Sequence, residues 1–141
     1  MRFMMIVKAN EESDAGKMPS EELLAAMGKY NEELMKAGVL VDLSGLQPSS
    51  KGARIKYSGG KRTVIDGPFA ETKELIAGYW IIRVKSKEEA MEWAMRIPAP
   101  HGENAQGEIE IRPFFELEDF APSPAIDRER ELAKELAGKQ K

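Results

Sequence analysis

Residues 76–97 read IAGYWIIRVKSKEEAMEWAMRI, and this stretch decides the fold class. Its first nine residues are nearly all apolar and rich in aromatic and β-branched side chains, which predicts a central strand covered on both faces. Ser86 and Glu89 then have the spacing of a capping box, in which each side chain bonds the backbone N–H of the other residue. The helix that follows ends at Pro98, and its buried stripe consists of Ala90, Trp93, Ala94 and Ile97.

The same order of strand and helix occurs upstream. The dense apolar run Arg2–Lys8 predicts a buried first strand, and the polar residues 10–17 predict a loop. Ser20 is the predicted N-cap of a first helix, and Gly38 is its stop. The apolar face of this helix consists of Leu23, Met27, Tyr30 and Leu34. Val39–Leu43 is the predicted second strand.

Between the two strand–helix units, Gly59-Gly60 separates two alternating runs, which predicts a β-hairpin over residues 53–65. Glu108–Phe114 is the predicted last strand. The order is typical of an α+β fold, a ferredoxin-like split β-α-β sandwich with both helices on one sheet face. We expect Trp80 and Ile82 to point to the other face. Because an exposed apolar sheet face needs a cover, we expect a homodimer.

Composition excludes several function classes. The 141 residues suit one ordinary domain, and the net charge of −3 argues against a nucleic-acid binder. With no cysteine and one histidine, the chain lacks the ligands of the usual transition-metal site, and we expect no metal. No nucleotide-binding motif occurs, so we expect no cofactor. No apolar run is long enough to span a membrane, and we expect a cytoplasmic protein.

The chain divides near residue 115. From Glu116 the composition shifts, so we predict a domain over residues 1–115 and a linker with a charged C-terminal helix over residues 116–141. Within that tail the helix covers Ala125–Leu136 and has few sizeable apolar residues. Alone it would be marginal in water, so it is either frayed or docked on a partner surface.

Residues 66–74 read DGPFAETKE and resemble the DGPF branch of the YCII-related family, whose members carry this segment almost letter for letter. The resemblance extends over roughly residues 1–115. It is supported by the flanking residues 1–7, 38–48, 78–79, 90–94 and 110–113. It implies a ferredoxin-like fold that pairs into a dimeric α/β barrel. Some DGPF-type domains are fused to sigma-factor regions, which implies a link to transcription.

The wider family is associated with enzymatic function through a His/Asp pair, and this chain departs from that pattern. Its only histidine is His101, which follows the second helix, whereas the family's histidine lies near the first helix. A His/Asp mechanism is therefore not carried over to this chain.

The candidate catalytic residues are Asp66, Lys73 and His101. Asp66 either caps the tight Asp-Gly turn through local backbone bonds or acts as a general acid or base in a cleft. Lys73 belongs either to a solvated turn or to a site where it anchors an anionic ligand beside Asp66. His101 is either an exposed residue of a Pro/Gly loop or a proton shuttle at the mouth of the cleft.

The candidate ligand-binding residues are Phe69, Glu71 and Arg112. Phe69 is either a core residue or a platform for a ligand, and Glu71 either a surface residue or part of the same site. Arg112 either pairs with an acid such as Glu110 or binds a carboxylate.

Two functions follow from these alternatives. The first is a small cofactor-free enzyme that performs acid–base chemistry on a small organic acid or carbonyl compound in a pocket beside the DGPF loop. The second is a non-catalytic ligand-binding or regulatory homodimer, with the C-terminal helix as a docking segment.

Overall fold

The computed structural model describes residues 1–139. Its strands are β1 (Arg2–Lys8), β2 (Leu40–Gly45), β3 (Ala53–Ser58), β4 (Lys61–Asp66), β5 (Ile76–Arg83) and β6 (Ile109–Pro113). Its α-helices are α1 (Glu11–Asp14), α2 (Glu21–Lys36), α3 (Lys87–Met95) and α4 (Pro124–Lys139). The predicted α+β class is confirmed.

Four strands form one antiparallel sheet in the order β2-β5-β1-β6, while β3 and β4 form a separate hairpin. The apolar strand β1 is central, because it pairs with β5 on one side and β6 on the other. Met5 therefore lies opposite both Trp80 and Ile111. Over residues 1–139 the sheet stays open, with β2 and β6 as its edges, and it does not close into a barrel.

The core lies between α2, α3 and one face of the sheet. Tyr30 of α2 is at its centre: its ring meets Trp80 edge-on at 5.5 Å, and its hydroxyl donates to the Trp93 carbonyl at 2.7 Å. Burial raises the pKa of the Tyr30 phenol far above its ordinary value. The buried core residues are Phe3, Met5, Tyr30, Leu34, Val39, Trp80, Ile82, Val84 and Ala90.

The prediction that Trp80 and Ile82 point to the uncovered sheet face is wrong. Both side chains belong to the core beneath the helices. Because side chains alternate along a strand, the pairing register with β1 decides which residues of β5 face the helices. A strand that is apolar at nearly every position has no polar–apolar alternation from which that face could be predicted. The apolar residues on the other face are Met4, Ile6, Tyr79 and Ile81, which are buried or half-buried.

The predicted helix and turn signals are present. Ser20 and Ser86 each accept a bond from the backbone N–H three residues on, at 3.1 Å. Glu89, however, accepts from the Lys85 N–H instead of closing the capping box with Ser86. Gly59 and Gly60 have φ of 55° and 80°, the left-handed conformation that a tight hairpin turn requires.

The expected loop at residues 10–17 contains the short helix α1, so that prediction is wrong in part. Asn10 and Ser13 cap it reciprocally: the Asn10 side chain accepts from the Ser13 N–H at 2.8 Å, and the Ser13 hydroxyl accepts from the Asn10 N–H at 2.9 Å. These short-range bonds stabilise a single turn that has no apolar periodicity, which is why the sequence pattern missed it.

Candidate functional site

A cavity of about 660 Å³ lies between α2 and the helix-facing side of the sheet. Its wall is completed by α1 and the segment after it, by residues 46–48 and by residues 100–102. The lining is mainly apolar. The apolar and aromatic residues of this lining on strands and α2 whose side chains are on the helix side are Val7, Leu23, Leu24, Met27, Leu43, Ile76 and Trp80.

Two glycines make room for this cavity. Gly45 at the end of β2 lies opposite Gly78 of β5, and both line the cavity. At the corresponding positions further along the strands, Leu43 lies opposite Trp80, whose large side chains fill the core face. A Cβ on Gly78 would sit 2.9 Å from the Ser44 carbonyl oxygen, so the close approach of the two strands also requires glycine there.

Several polar groups on the cavity wall are already held by other protein groups. The Trp80 indole N–H donates to Asn31 Oδ1 at 2.7 Å. Lys17 Nζ pairs with Glu12 at 3.1 Å. The charged lysine and carboxylate residues of the lining are Glu12, Asp14 and Lys17, and the ion pair neutralises two of these three charges.

His101 lines the cavity and is half-buried there, so the exposed-loop interpretation does not hold. Its Nε2 lies 2.9 Å from the Lys8 carbonyl oxygen, which can only accept a hydrogen bond. Nε2 therefore carries the hydrogen, and in the neutral ring Nδ1 keeps its lone pair. A Cβ on Gly107 would lie 2.8 Å from the Pro100 ring and 3.5 Å from the His101 ring, so this glycine lets the histidine loop pack closely.

The DGPF segment lies outside the cavity lining. Asp66 is exposed at the end of β4, opposite Ala53. Glu71 is exposed just before the short 3-10 segment Thr72–Glu74, and Lys73 is exposed within it. Phe69 is half-buried, and its ring lies 3.8 Å from the Arg54 guanidinium carbon. The structure therefore does not bring Asp66 or Lys73 to the same cavity wall as His101.

The DGPF segment is nevertheless joined to that wall through Ser49. The Phe69 N–H donates to Ser49 Oγ at 3.0 Å, and Ser49 Oγ donates to Asp14 Oδ2 at 2.6 Å. The Ser49 N–H donates to Asp14 Oδ1 at 2.7 Å. Asp14 is the last residue of α1 and lines the cavity. These three hydrogen bonds therefore connect the DGPF segment to the cavity wall.

The contacts of Gly67 explain why the DGPF segment needs glycine at this position. Its N–H donates to the Gly52 carbonyl at 3.1 Å, and a Cβ at this position would lie 1.8 Å from the Ser49 carbonyl oxygen. The peptide bond between Gly67 and Pro68 is cis. Only glycine permits this approach, so Gly67 and Phe69 together brace residues 49–52.

Arg112 lies elsewhere. It is exposed on β6 opposite Met4, on the sheet face away from the helices. Its neighbour Glu110 pairs with Lys8 at 3.9 Å. Arg112 and the cavity are therefore on opposite sides of the sheet.

Sequence reasoning missed most of the cavity. Asn31 and Asp14 are polar residues on or beside helices, where base rates favour a solvated surface. The one signal available was the pair of glycines, Gly45 and Gly78, at the ends of two predicted strands. A glycine within or at the end of a strand often marks a close backbone approach or a ligand space.

Two further observations bear on chemistry. Among residues 1–139 no group of three or more His, Asp or Glu side chains is arranged to hold a metal ion. In the same part of the chain, no helix has both the length and the apolar character needed to cross a bilayer.

Comparison with known proteins identifies a family and a relative. The family model described as the YCII-related domain matches residues 1–118. An uncharacterized protein of Rhizobium meliloti (strain 1021) is 31% identical over 98 residues, which cover 70% of this chain and 77% of the relative. The matched range includes every strand of both sheets and the residues that line the cavity.

Proposed function

The chain belongs to the YCII-related family, and on that premise we propose that its cavity binds a small, mainly apolar organic molecule on which His101 acts as a general acid or base without a cofactor. One observation carries the proposal: the chain's only histidine lies on the wall of a 660 Å³ cavity. That volume is within the range of about 300–1,000 Å³ typical of small-molecule sites.

The lining favours an uncharged ligand. Lys17 pairs with Glu12, and both carboxylate oxygens of Asp14 accept bonds from Ser49. An ionic ligand would lose its hydration in the cavity and find no unengaged counter-charge among these groups. A carbonyl compound therefore fits the proposal better than an organic acid does.

His101 has the bonding pattern that proton transfer needs. The bond from Nε2–H to the Lys8 carbonyl fixes the ring orientation and the tautomer. Nδ1 is then the atom that accepts a proton from the ligand and returns it. Deprotonation next to a carbonyl group is the simplest reaction that one such base can perform.

The experiment is deuterium incorporation next to the carbonyl group of small ketones and aldehydes, followed by NMR in heavy water. We expect the wild-type protein to accelerate exchange for at least one compound and His101→Gln to lose it. Both proteins should bind the neutral dye N-phenylnaphthylamine equally well. Exchange by His101→Gln at the wild-type rate would contradict the role of His101.

Asp66 and Lys73 are a separate part of the proposal, because neither side chain lines the cavity. Their predicted role in proton transfer is tested in the same assay. Loss of exchange in Asp66→Asn or Lys73→Met, with dye binding unchanged, would support it. Exchange at the wild-type rate in both variants would remove these residues from the mechanism.

The second candidate function is a non-catalytic ligand-binding homodimer. The observation that favours it is the separation of Asp66 and Lys73 from the cavity, which leaves a single acid–base group there. Under this alternative the wild-type protein binds N-phenylnaphthylamine but exchanges no deuterium into any compound tested.

The finer architecture is also proposed. The strand order β2-β5-β1-β6 with α2 and α3 on one face supports a ferredoxin-like sandwich, and residues 66–74 support membership of the DGPF branch. The opposite sheet face carries Met4, Tyr79 and Ile81, which supports pairing of two copies into a dimeric α/β barrel. Light scattering should give twice the chain mass of 15.7 kDa, and a monomer at micromolar concentration would contradict the pairing.

A further inference from the structure

Asn31 is a polar residue on the stripe of α2 that lines the cavity. Leu24, Met27 and Asn31 recur at the spacing of one helix face, and all three belong to the lining. The lining positions of α2 that precede Asn31 are all apolar, whereas position 31 carries an amide. The helix therefore presents one hydrogen-bonding side chain to the cavity.

The orientation of the Asn31 amide is fixed by Trp80. The indole Nε1–H can only donate a hydrogen bond, so the atom of Asn31 that lies 2.7 Å from it must be the oxygen Oδ1. Trp80 is 6% exposed, and its ring meets the Tyr30 ring edge-on at 5.5 Å. Because the core holds the indole in place, the amide nitrogen Nδ2 is the end of the Asn31 side chain that is left for another partner.

This amide nitrogen is an accessible donor. Within residues 1–139, Nδ2 makes no hydrogen bond, and no unpaired nitrogen or oxygen of a side chain that is not itself exposed is sealed from solvent. Asn31 belongs to the cavity lining, so a ligand in the cavity can meet Nδ2. An acceptor on that ligand gains from this contact, because an acceptor that is buried without a partner loses its hydrogen bonds to water.

The surface next to Asn31 and Trp80 suits a flat, neutral molecule. Gly45 and Gly78 lie opposite each other, at the next helix-facing position along the strands after Trp80. Neither glycine has a side chain, so a flat ring can lie against the backbone there. Lys17 is paired with Glu12, which argues against an anionic acceptor.

We propose that Asn31 Nδ2 donates a hydrogen bond to a carbonyl oxygen of the ligand, so that Asn31 is the residue that selects neutral carbonyl compounds. The two groups are complementary, because Nδ2 can only donate and a carbonyl oxygen can only accept. This inference rests on the proposed function, since it requires the cavity to bind a small molecule. It does not depend on proton transfer by His101.

Two probes of matched shape test this bond. 2-Acetylnaphthalene is a neutral ketone, and 2-isopropenylnaphthalene has a CH2 group in place of the carbonyl oxygen and cannot accept a hydrogen bond in the same way. Displacement of N-phenylnaphthylamine gives the dissociation constant of each probe. The quantity to compare between protein variants is the ratio of the two constants, because a general change in the cavity affects both probes alike.

Asn31→Asp removes the donor and keeps the acceptor. One carboxylate oxygen still accepts from the Trp80 N–H, while the other replaces Nδ2 and cannot donate. We expect the preference for the ketone over the alkene to fall at least about fivefold. Asn104→Asp is the control, because Asn104 is exposed outside the lining and receives the same change of charge. It should keep the wild-type ratio.

An alcohol distinguishes a carbonyl ligand from a hydroxyl ligand. The O–H group of 1-(2-naphthyl)ethanol can donate to the carboxylate of Asn31→Asp. We therefore expect this variant to bind the alcohol, relative to the alkene, at least as tightly as the wild-type protein does. A loss of relative affinity as large as that of the ketone would overturn the assignment to carbonyl compounds.

The side-chain amide of Asn31 supplies a measurement that needs no variant. In the nitrogen–proton NMR spectrum of the wild-type protein, 2-acetylnaphthalene should shift an Nδ2 proton downfield and saturably, and the alkene should shift it less. Equal shifts with both probes would overturn the inference, also in the event that Asn31→Asp does not fold.

The outcomes separate this inference from the proposed function. If Asn31 serves only to hold Trp80, the probes bind and their ratio is unchanged in Asn31→Asp, which overturns the inference and leaves the ligand-binding cavity intact. Binding of the alkene without binding of the ketone has the same meaning. If neither probe nor N-phenylnaphthylamine shifts the Trp80 indole signal, the cavity is not a ligand site, and both the proposed function and this inference are wrong.

Discussion

Asp14 and Ser49 are joined by two hydrogen bonds, one to each carboxylate oxygen of Asp14, at 2.6 and 2.7 Å. Asp14 lines the cavity, and Ser49 receives the Phe69 N–H. This pair therefore links the DGPF segment to the cavity wall. Through these bonds residues 66–74 brace residues 49–52 beside the cavity wall. The close contact with Ser49 requires glycine at position 67, and the bond to Ser49 uses the backbone N–H of Phe69.

Replacing Ser49 should release the brace. Ser49→Ala removes the hydroxyl bonds to Asp14 and Phe69, and we expect the free energy of unfolding to fall by about 1–3 kcal/mol. Urea denaturation of Ser49→Ala and of Ser50→Ala measures this. Ser50 is the exposed neighbour and should change stability by less than about 0.5 kcal/mol. Equal values for both variants would contradict the brace.

Gly67 should tolerate no side chain. A methyl group there would overlap the Ser49 carbonyl, so Gly67→Ala should lower the free energy of unfolding by more than about 2 kcal/mol or prevent folding. Gly28→Ala in α2, where a Cβ meets nothing within 4 Å, is the control and should raise stability by about 0.5–1 kcal/mol. Similar effects of the two substitutions would show that residues 67 and 49 are not in close contact.

Alkaline pH should destabilise the protein through Tyr30. Burial raises the pKa of this phenol above its ordinary value of 10.0, so the folded state keeps the proton that the unfolded state releases. The stabilisation is complete below pH 10.0 and is lost as the pH rises toward the folded pKa. Urea midpoints across this range should fall more steeply for wild type than for Tyr30→Phe. Tyr57→Phe, at an exposed position, should keep the wild-type slope.

A large side chain in place of Gly45 should block the cavity beside the Gly45–Gly78 pair. At Gly45 a Cβ would find only the Ala77 carbonyl oxygen, at 3.9 Å, so Gly45→Leu should fold and place its side chain where the ligand binds. We expect affinity for N-phenylnaphthylamine to fall at least about tenfold. Gly52→Ala, outside the cavity, should bind as wild type does. Undiminished binding by Gly45→Leu would place the dye elsewhere.

The sequence predicted the elements of the fold better than it predicted the site. Apolar periodicity and the serines at positions 20 and 86 located α2 and α3, because these signals are local. The face on which Trp80 lies could not be predicted, since the pairing register with β1 decides it. The link from Asp14 to Phe69 spans 55 positions and depends on tertiary contacts, so no local sequence pattern indicated the contacts of Ser49 and Gly67.

Ligand charge is a further discriminating property. N-phenylnaphthylamine and its sulfonate, anilinonaphthalenesulfonate, differ by one anionic group. We expect the neutral dye to bind at least about ten times more tightly, because Lys17 is paired with Glu12. Fluorescence titration measures both affinities, and tighter binding of the sulfonate would point to an anionic ligand.

The two tryptophans allow the cavity itself to be observed. Trp80 lines it and donates its indole N–H to Asn31, whereas Trp93 lies in α3 outside the lining. The measurement is the nitrogen–proton NMR spectrum of the two indole groups during titration with N-phenylnaphthylamine. A ligand site between α2 and the sheet predicts that the Trp80 signal shifts saturably and more than the Trp93 signal. Saturable binding that leaves the Trp80 signal unmoved would contradict it.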